Sequence, residues 1–585
     1  MQKINLKYPL TDCAKLFIEK GLELLYKDTL DTYRLRLHNP KTIIQELMLV
    51  SEKARNRTLN NHDYADSIAK EAKLILSGDF HNLKFNIINK DYFIRLLTNI
   101  KKENYRNIIQ ACKLLLQENQ DYYDQLCTSC QNLINKNNGG LTSYDEKDKI
   151  LGWIHYQCIE LINKGYTKQY LHNYFRTIFI HIEDEKLLFE DRYKIWAGLG
   201  TQAPKKYRVI YEILGESFQF PVLQEIDKKY EQVNNLYRST LPLKTSIDIK
   251  KFLEDKKQSN LVSIEVDSLD HFKAIEISRG KLSSDLDIYH LGFNNKVFKT
   301  SLKAAVISEN MPEKASILPS NYQIDGFTRS SQLVFKEFLK KIETLKNINI
   351  DDASIDKIIA AIRYLRAGSE SHELSTKFLN YWIGFEYIFT SFLDEEKTFN
   401  RMKKNFPICH ALIYIKRNLF DFHKSIERIG ISSKITNFNP DLEYLTKHST
   451  YNEIISNCDN ELMKYRSEQL QKLVSDPGNI EKINFRHIEN LEWNLMRLYR
   501  IRNEIVHNAA LTTTIYVNVS HIKYYLTFII NSILDFMSTS KNDTNNDGII
   551  SIEDYFVSQE IIFAAKKSKP LKEFISVHNP MQILH

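Results

Sequence analysis

Apolar side chains recur three and four residues apart through the first 135 residues of this 585-residue chain, and again from about residue 328 to 538. An α-helix turns that spacing onto one face, so both stretches are expected to be sets of helices packed through apolar stripes. Residues 10–26, 41–53, 92–100 and 105–116 carry the pattern in the first stretch. From about residue 175 it changes. Tyr207, Val209, Tyr211 and Ile213 fall at every second position with Arg208 and Glu212 between them, which predicts a strand, blurred by Ile210 and ended at Gly215. Residues 261–266 predict a second strand, 270–279 a short helix, and 285–293 a third strand turned by Asn294-Asn295 into 296–307. The fold class expected is mainly α, with a small mixed α/β middle region of antiparallel hairpins.

A chain this long exceeds one core, and its breaks suggest four segments. These are an N-terminal helical region (1–136), a mixed α/β region (141–325), a C-terminal helical bundle (328–540) and a tail (541–585). Asn137-Asn138-Gly139-Gly140 marks the first break, and Ser143 and Glu146 after it have the spacing of a capping box. No fixed-period repeat is visible. With 43% apolar and 11% aromatic residues there is ample material for packed cores. The net charge of +7 permits binding to a polyanion without demanding it. The start of the chain has no apolar h-region, and no apolar window is long enough to span a bilayer. Seven cysteines, an odd number without regular spacing, fit a reducing compartment, so a cytoplasmic protein with no membrane partner is expected.

Leu491, Leu495, Leu498 and Ile505 form the stripe of one further helix, and Arg502 stands where another Leu is expected. A guanidinium there must find an anion, because an unpaired charge in an apolar setting costs several kcal/mol. Asn503 and His507, four apart, share an adjacent face. A permanent cation, an amide and a titratable imidazole within a turn and a half suit gripping a phosphate and moving a proton.

The run Arg502-Asn503-x-x-x-His507 resembles the R-x4-H signature of the HEPN superfamily, in the Asn-containing form common among HEPN ribonucleases. Phe378-Leu-Asn-Tyr-Trp-Ile-Gly-Phe-Glu-Tyr-Ile-Phe389 is similar to the first long HEPN helix, which carries a Glu, here Glu386, within an aromatic run. The likeness covers roughly residues 330 to 540 and points to the Apea-like branch of prokaryotic defence proteins. The passage from Asp267 to Ile275 resembles the segment that precedes the HEPN helices in that branch.

The resemblance implies a HEPN-type bundle and metal-independent cleavage of RNA, tRNA included, by a toxin-like effector of antiviral (phage) defence. The ribose 2′-hydroxyl attacks the neighbouring phosphorus and a 5′-hydroxyl leaves. His507 would be general base or acid, since its ordinary pKa lies near operating pH. Arg502 would hold the phosphate and stabilise charge in the transition state, a bidentate task that Lys performs poorly. Asn503 would orient the phosphate or the imidazole, and Glu386 would fix Arg502 or the His507 tautomer. The plain alternative for Glu386 is a partly exposed carboxylate flanking a core helix.

On one straight helix Arg502 and His507 lie about 140° apart. Either the helix ends or bends near Asn508, or another copy completes the site; the HEPN resemblance implies the second, with two motif helices lining one cleft, so a homodimer is expected. Some HEPN toxins carry a modifiable Tyr two residues after the His. Ala509 stands there, so that form of control is not expected. The residues before the bundle would sense an unidentified trigger or restrain the nuclease. A second reading stays open, a non-catalytic HEPN scaffold or ligand-sensing dimerisation module in which Arg502 pairs only with an internal carboxylate.

Other signals are weaker. Asp543, Asn545, Asp547, Ile549 and Asp554 match the spacing of a Ca²⁺ loop, with Asp in place of the usual final Glu, which suits weak Ca²⁺ or Mg²⁺ binding. The competing reading is an Asn/Asp-rich turn between helices. Cys127, Cys130, His155 and Cys158 have zinc-ligand types, but both pairs sit in helical segments and ordinary buried thiols are favoured. Gly198-x-Gly200-x-x-Ala203 has no strand before it, which excludes a dinucleotide turn, and Walker A, HExxH and GxSxG motifs are absent.

Overall fold

The computed structural model describes residues 8, 10–26, 38–56, 63–78, 82–98, 100, 102–136, 143–181, 187–215, 218–234, 247–254, 260–292, 298–308, 311–320, 332–391, 396–508, 516–539 and 547–576. It is mainly helical, with a small antiparallel sheet in the middle of the chain. Contacts divide it into two compact units. The first comprises Met1–Leu24, Asp28–Ile159 and Asp325–His585, and the second Leu25–Lys27 and Glu160–Ile324. The helices before residue 137 therefore share a unit with the C-terminal bundle.

In the first unit the N-terminal helices are α1 (Asp12–Leu25), α2 (Pro40–Arg55), α3 (Asp63–Ser77), α4 (Lys90–Thr98), α5 (Tyr105–Glu118), α6 (Tyr122–Lys136) and α7 (Tyr144–Lys164), the last running on into the second unit. Local chemistry sets the starts of two of them. Asn39 caps α2 by accepting from Thr42 N at 2.9 Å, and Pro40 follows at the position where a missing N–H costs nothing. The expected box at α7 is present, with Glu146 accepting from Ser143 N at 3.0 Å and Ser143 Oγ accepting from Glu146 N at 3.3 Å.

The second unit contains α8 (Lys168–Arg176), α9 (Phe189–Ala197), β1 (Lys205–Leu214), α10 (Phe220–Ile226), β2 (Tyr230–Gln232), α11 (Ile247–Glu254), β3 (Leu261–Ser268), α12 (His271–Gly292), β4 (Lys299–Thr300), β5 (Lys303–Ser308) and β6 (Met311–Pro319). The sheet order is β2-β3-β1-β5-β6, with β4 pairing the end of β1. Val209 is opposite Ile264 on β3 and Val306 on β5, all antiparallel. Tyr207, Val209, Tyr211 and Ile213 form one core with Ala274, Ile275 and Leu282 of α12, while Ile210 joins Ile249 and Leu253 of α11. Apolar cover on both faces explains why Ile210 blurs the alternation.

The strand expected at 285–293 is instead the last turns of α12. Leu282, Leu286 and Tyr289, at helical spacing, are buried, whereas Ile288 and Leu291 are 56% and 82% exposed. Alternation over so few residues does not separate the two periods. The Asn294-Asn295 turn lies outside the described residues.

The bundle in the first unit follows with α13 (Gln332–Leu345), α14 (Asp352–Glu370), α15 (Leu374–Ile388), α16 (Thr398–Ile429), α17 (His448–Asn457), α18 (Glu461–Ser475), α19 (Pro477–Asn508), α20 (Tyr516–Thr539), α21 (Ile552–Lys566) and α22 (Leu571–Phe574). Phe378, Tyr381, Trp382, Phe385, Ile388 and Phe389 are fully buried, so α15 is enclosed by its neighbours. Its close seat on α14 needs Gly384, where an added Cβ would come within 2.9 Å of Tyr364 Cβ. Among the described residues no helix is long and apolar enough to cross a membrane.

Candidate functional site

Helix α19 buries Ile480, His487, Leu491, Leu495, Leu498 and Ile501. Ile501, not Arg502, continues the buried stripe, so the Arg502 side chain comes out at the edge of the core and is 30% exposed. Its nearest carboxylate is Glu386 on α15, with Nη2 at 4.0 Å from Oε2, the outer limit for an ion pair. Glu386 is itself fixed, accepting a hydrogen bond from the buried Trp382 indole at 2.9 Å. Arg502 Nη1 donates to Asn503 Oδ1 at 3.0 Å, and Asn503 Nδ2 donates to the Tyr64 hydroxyl of α3 at 3.1 Å. A polar chain thus runs Trp382–Glu386–Arg502–Asn503–Tyr64.

Aromatic packing holds this chain in place. Tyr499, one turn before Asn503, stacks on Phe399 with ring centroids 4.1 Å apart and on Trp382 at 5.9 Å, and lies 6.2 Å from Tyr64. Burial pushes the Tyr64 phenol up to about 12, so it is a neutral hydroxyl at physiological pH.

Sequence reasoning missed the charges on a neighbouring face of the same helix. Arg497 donates to both Glu46 oxygens, Nε at 3.0 and 3.1 Å and Nη2 at 2.8 Å, and Nη2 also reaches Glu71 of α3 at 2.6 Å. Arg500 shares Glu46, His38 lies 3.0 Å from it, and Lys53 of α2 pairs with Glu504 at 2.6 Å. Burial alone would raise the Glu46 carboxyl. Arg497, Arg500 and His38 beside it more than offset that and hold it well below the usual carboxylate range. One signal was present: Glu46 falls within the apolar stripe of Ile43, Leu47 and Val50 on α2, where a carboxylate requires a cation.

Among the residues singled out from the sequence, Arg502, Asn503 and Glu386 are therefore brought together. His507 lies in the last turn of α19, and its side chain is outside the described residues, as is Ala509. Asp543 and Asn545 are outside them too. Asp547 Oδ1 accepts from Ile549 N at 2.8 Å, and Gly548 turns the chain with φ +78°. The Asp554 carboxylate is fully buried and accepts from Ser551 N and Oγ at 2.8 and 2.7 Å, closing a capping box at the start of α21. Cys127, Cys130, His155 and Cys158 are all buried. No group of three His, Cys, Asp or Glu side chains among the described residues is placed to hold a metal ion.

The arrangement offers a partly exposed cation, an amide bonded to one of its nitrogens and a carboxylate near the other, at the edge of an aromatic core. Such a set can grip an anion that approaches from solvent. No family model matches the chain, and no curated protein or solved structure matches it either.

Proposed function

We propose that the protein is a cytoplasmic, metal-independent endoribonuclease of HEPN type, acting as a homodimer and as a toxin-like effector of antiviral defence. The reading is carried by Arg502: a guanidinium 30% exposed, 4.0 Å from its carboxylate and steadied by Asn503, is reachable by a phosphate. The scissile phosphate would lie on Arg502, with Glu386 limiting the rotamers of that side chain. His507 would take the proton of the ribose 2′-hydroxyl as its oxygen bonds to phosphorus. The P–O5′ bond breaks, and the 5′-oxygen leaves with a proton from a second acid, leaving a 2′,3′-cyclic phosphate. The second His507 of a dimer would be that acid.

The test is incubation of purified protein with total RNA and with tRNA in excess EDTA. Cleavage leaving 5′-hydroxyl ends, lost in Arg502→Ala and His507→Ala, is expected. Intact RNA under conditions where the protein is toxic to cells would overturn the reading, and so would equal cleavage by the two variants. The other reading, a non-catalytic HEPN module, draws on the Asn503–Tyr64 bond, since an amide used to tie α19 to α3 has a structural role whatever else it does. It predicts that both variants lose stability and nothing else.

A further inference from the structure

A cleft of about 760 Å³ lies wholly within the first unit, walled by α1, α7, α16, α18 and α19. That volume is in the range of sites for small organic ligands, roughly 300–1,000 Å³. Its charge departs from that of the chain as a whole. Five lining side chains are Lys or Arg and two are Asp, against 80 and 73 basic and acidic residues overall. Lys472, Lys482 and Arg486 are exposed, and neither Lys472 nor Lys482 has a carboxylate within ion-pair distance among the described residues. Lys472 instead sits over the Tyr144 ring, 3.4 Å from its centroid.

The walls are aromatic. Tyr144 is half-buried and stacks on buried Tyr465 at 5.2 Å and 19°. Tyr414, also half-buried, stacks on buried His487 at 4.0 Å and 13°. The His487 ring is fixed from behind, with Nε2 at 2.8 Å from His410 Nδ1, and His410 Nε2 lies 2.6 Å from the Tyr524 hydroxyl. The Tyr465 hydroxyl donates to Asp148 at 2.7 Å. Tyr144 thus carries Tyr465 and Lys472 on its ring, while Tyr414, braced by His487, borders the cleft.

We propose that this cleft binds a nucleoside phosphate, with the base against Tyr414 and the phosphates at Lys472, which Tyr144 holds in place, and Lys482, beside the Arg486–Glu489 pair. Inorganic phosphate would use the cations and leave the Tyr414 ring idle, and a nucleoside would do the reverse. A mono- or dinucleotide uses both and fits the volume. A volume of about 760 Å³ suits such a ligand better than a polynucleotide, which needs a groove long enough for several bases. His487 in the cleft and Arg502 lie on one continuous helix, 15 residues or about 22 Å apart.

The test is calorimetric titration of the full-length protein with ATP, GTP, adenosine, inorganic phosphate and a short single-stranded RNA. ATP or GTP is expected to bind with Kd below about 100 µM. Adenosine and inorganic phosphate should each bind at least about tenfold more weakly. Lys472→Ala/Lys482→Ala should weaken nucleotide binding about tenfold with an unchanged far-ultraviolet circular dichroism spectrum, since both side chains are exposed. Tyr414→Leu should weaken ATP and adenosine by the same factor. No nucleotide binding at millimolar concentration would overturn the proposal. So would binding that ignores the double substitution, or RNA binding sensitive to it without nucleotide binding. No readout involves cleavage, so this proposal and the nuclease reading fail independently.

Discussion

The Tyr64 hydroxyl accepts a hydrogen bond from the Asn503 amide at 3.1 Å, across 439 residues of sequence. An N-terminal helix thus supplies a contact to the residue beside Arg502. Tyr64→Phe keeps the ring near Tyr499 and removes only that acceptor. It is expected to cost about 1 kcal/mol in urea unfolding. If Asn503 acts on RNA, the same change should lower cleavage severalfold with Arg502 intact. Both are measurable on one preparation.

Arg502 and Arg497 are five residues apart and should behave as opposites. Arg502 is partly exposed with one distant carboxylate, so Arg502→Ala should change stability by less than about 1 kcal/mol while abolishing cleavage. Arg497 is buried against Glu46 and Glu71, and Arg497→Ala should cost roughly 3–5 kcal/mol by stranding charge. Equilibrium denaturation beside an RNA cleavage assay separates the two.

Glu46 is held below the ordinary carboxylate range in the folded chain. Its contribution is therefore full above about pH 4.5, its unfolded value, and is lost as pH falls through the lower folded value. Glu46→Gln should be less stable than wild type by about 3 kcal/mol at pH 7, with the gap narrowing below pH 4.5. Urea unfolding at pH 7, 5, 4 and 3 reads this directly.

Glu19 behaves in the opposite sense. Burial raises its carboxyl to about 8, although it accepts a hydrogen bond from Leu462 N at 2.8 Å at the start of α18. The folded chain holds the proton more tightly than the unfolded one, so stability drops as pH rises from about 4.5 to about 8. Glu19→Gln keeps an acceptor and removes the charge. It should raise stability at pH 8.5 by roughly 2 kcal/mol and change little at pH 4. Melting curves of both proteins at the two pH values check it.

Asp554 closes the capping box that Ser551 opens on α21, so Asp554→Ala should lower stability by about 1 kcal/mol with or without calcium. Thermal melts in EDTA and in millimolar Ca²⁺ test this. A melting temperature that rises with Ca²⁺ in wild type only would show instead that the carboxylate leaves the cap for the ion.

Local patterns were legible and distant partners were not. Three-four spacing located the helices, and the alternation from Tyr207 to Ile213 located β1, because both report how one element meets water. Residues 285–293 misled because nine residues fit either period. That Arg502 needs an anion followed from a charge placed near a core, whereas Glu386 as one option for it came from the family resemblance. That the carboxylates facing Arg497 and Arg500 would be Glu46 and Glu71 could not be read, because periodicity says which face is buried and not what buries it. Asp554 has the spacing of both a calcium ligand and a Ser551 capping partner, and one sequence position cannot distinguish the two.

The length of chain between Glu46 and Arg497 has a consequence for synthesis. At about 5–20 residues per second, α2 and α3 leave the ribosome some 20–90 s before the helix that neutralises them. Through that interval Glu46 and Glu71 have no arginine partners from α19, and Asn503, Arg502 and Glu386 are not yet one cluster. Assembly of the cluster waits for α19, so the contact between Tyr64 and Asn503 closes only after the chain has grown by the 439 positions that separate them.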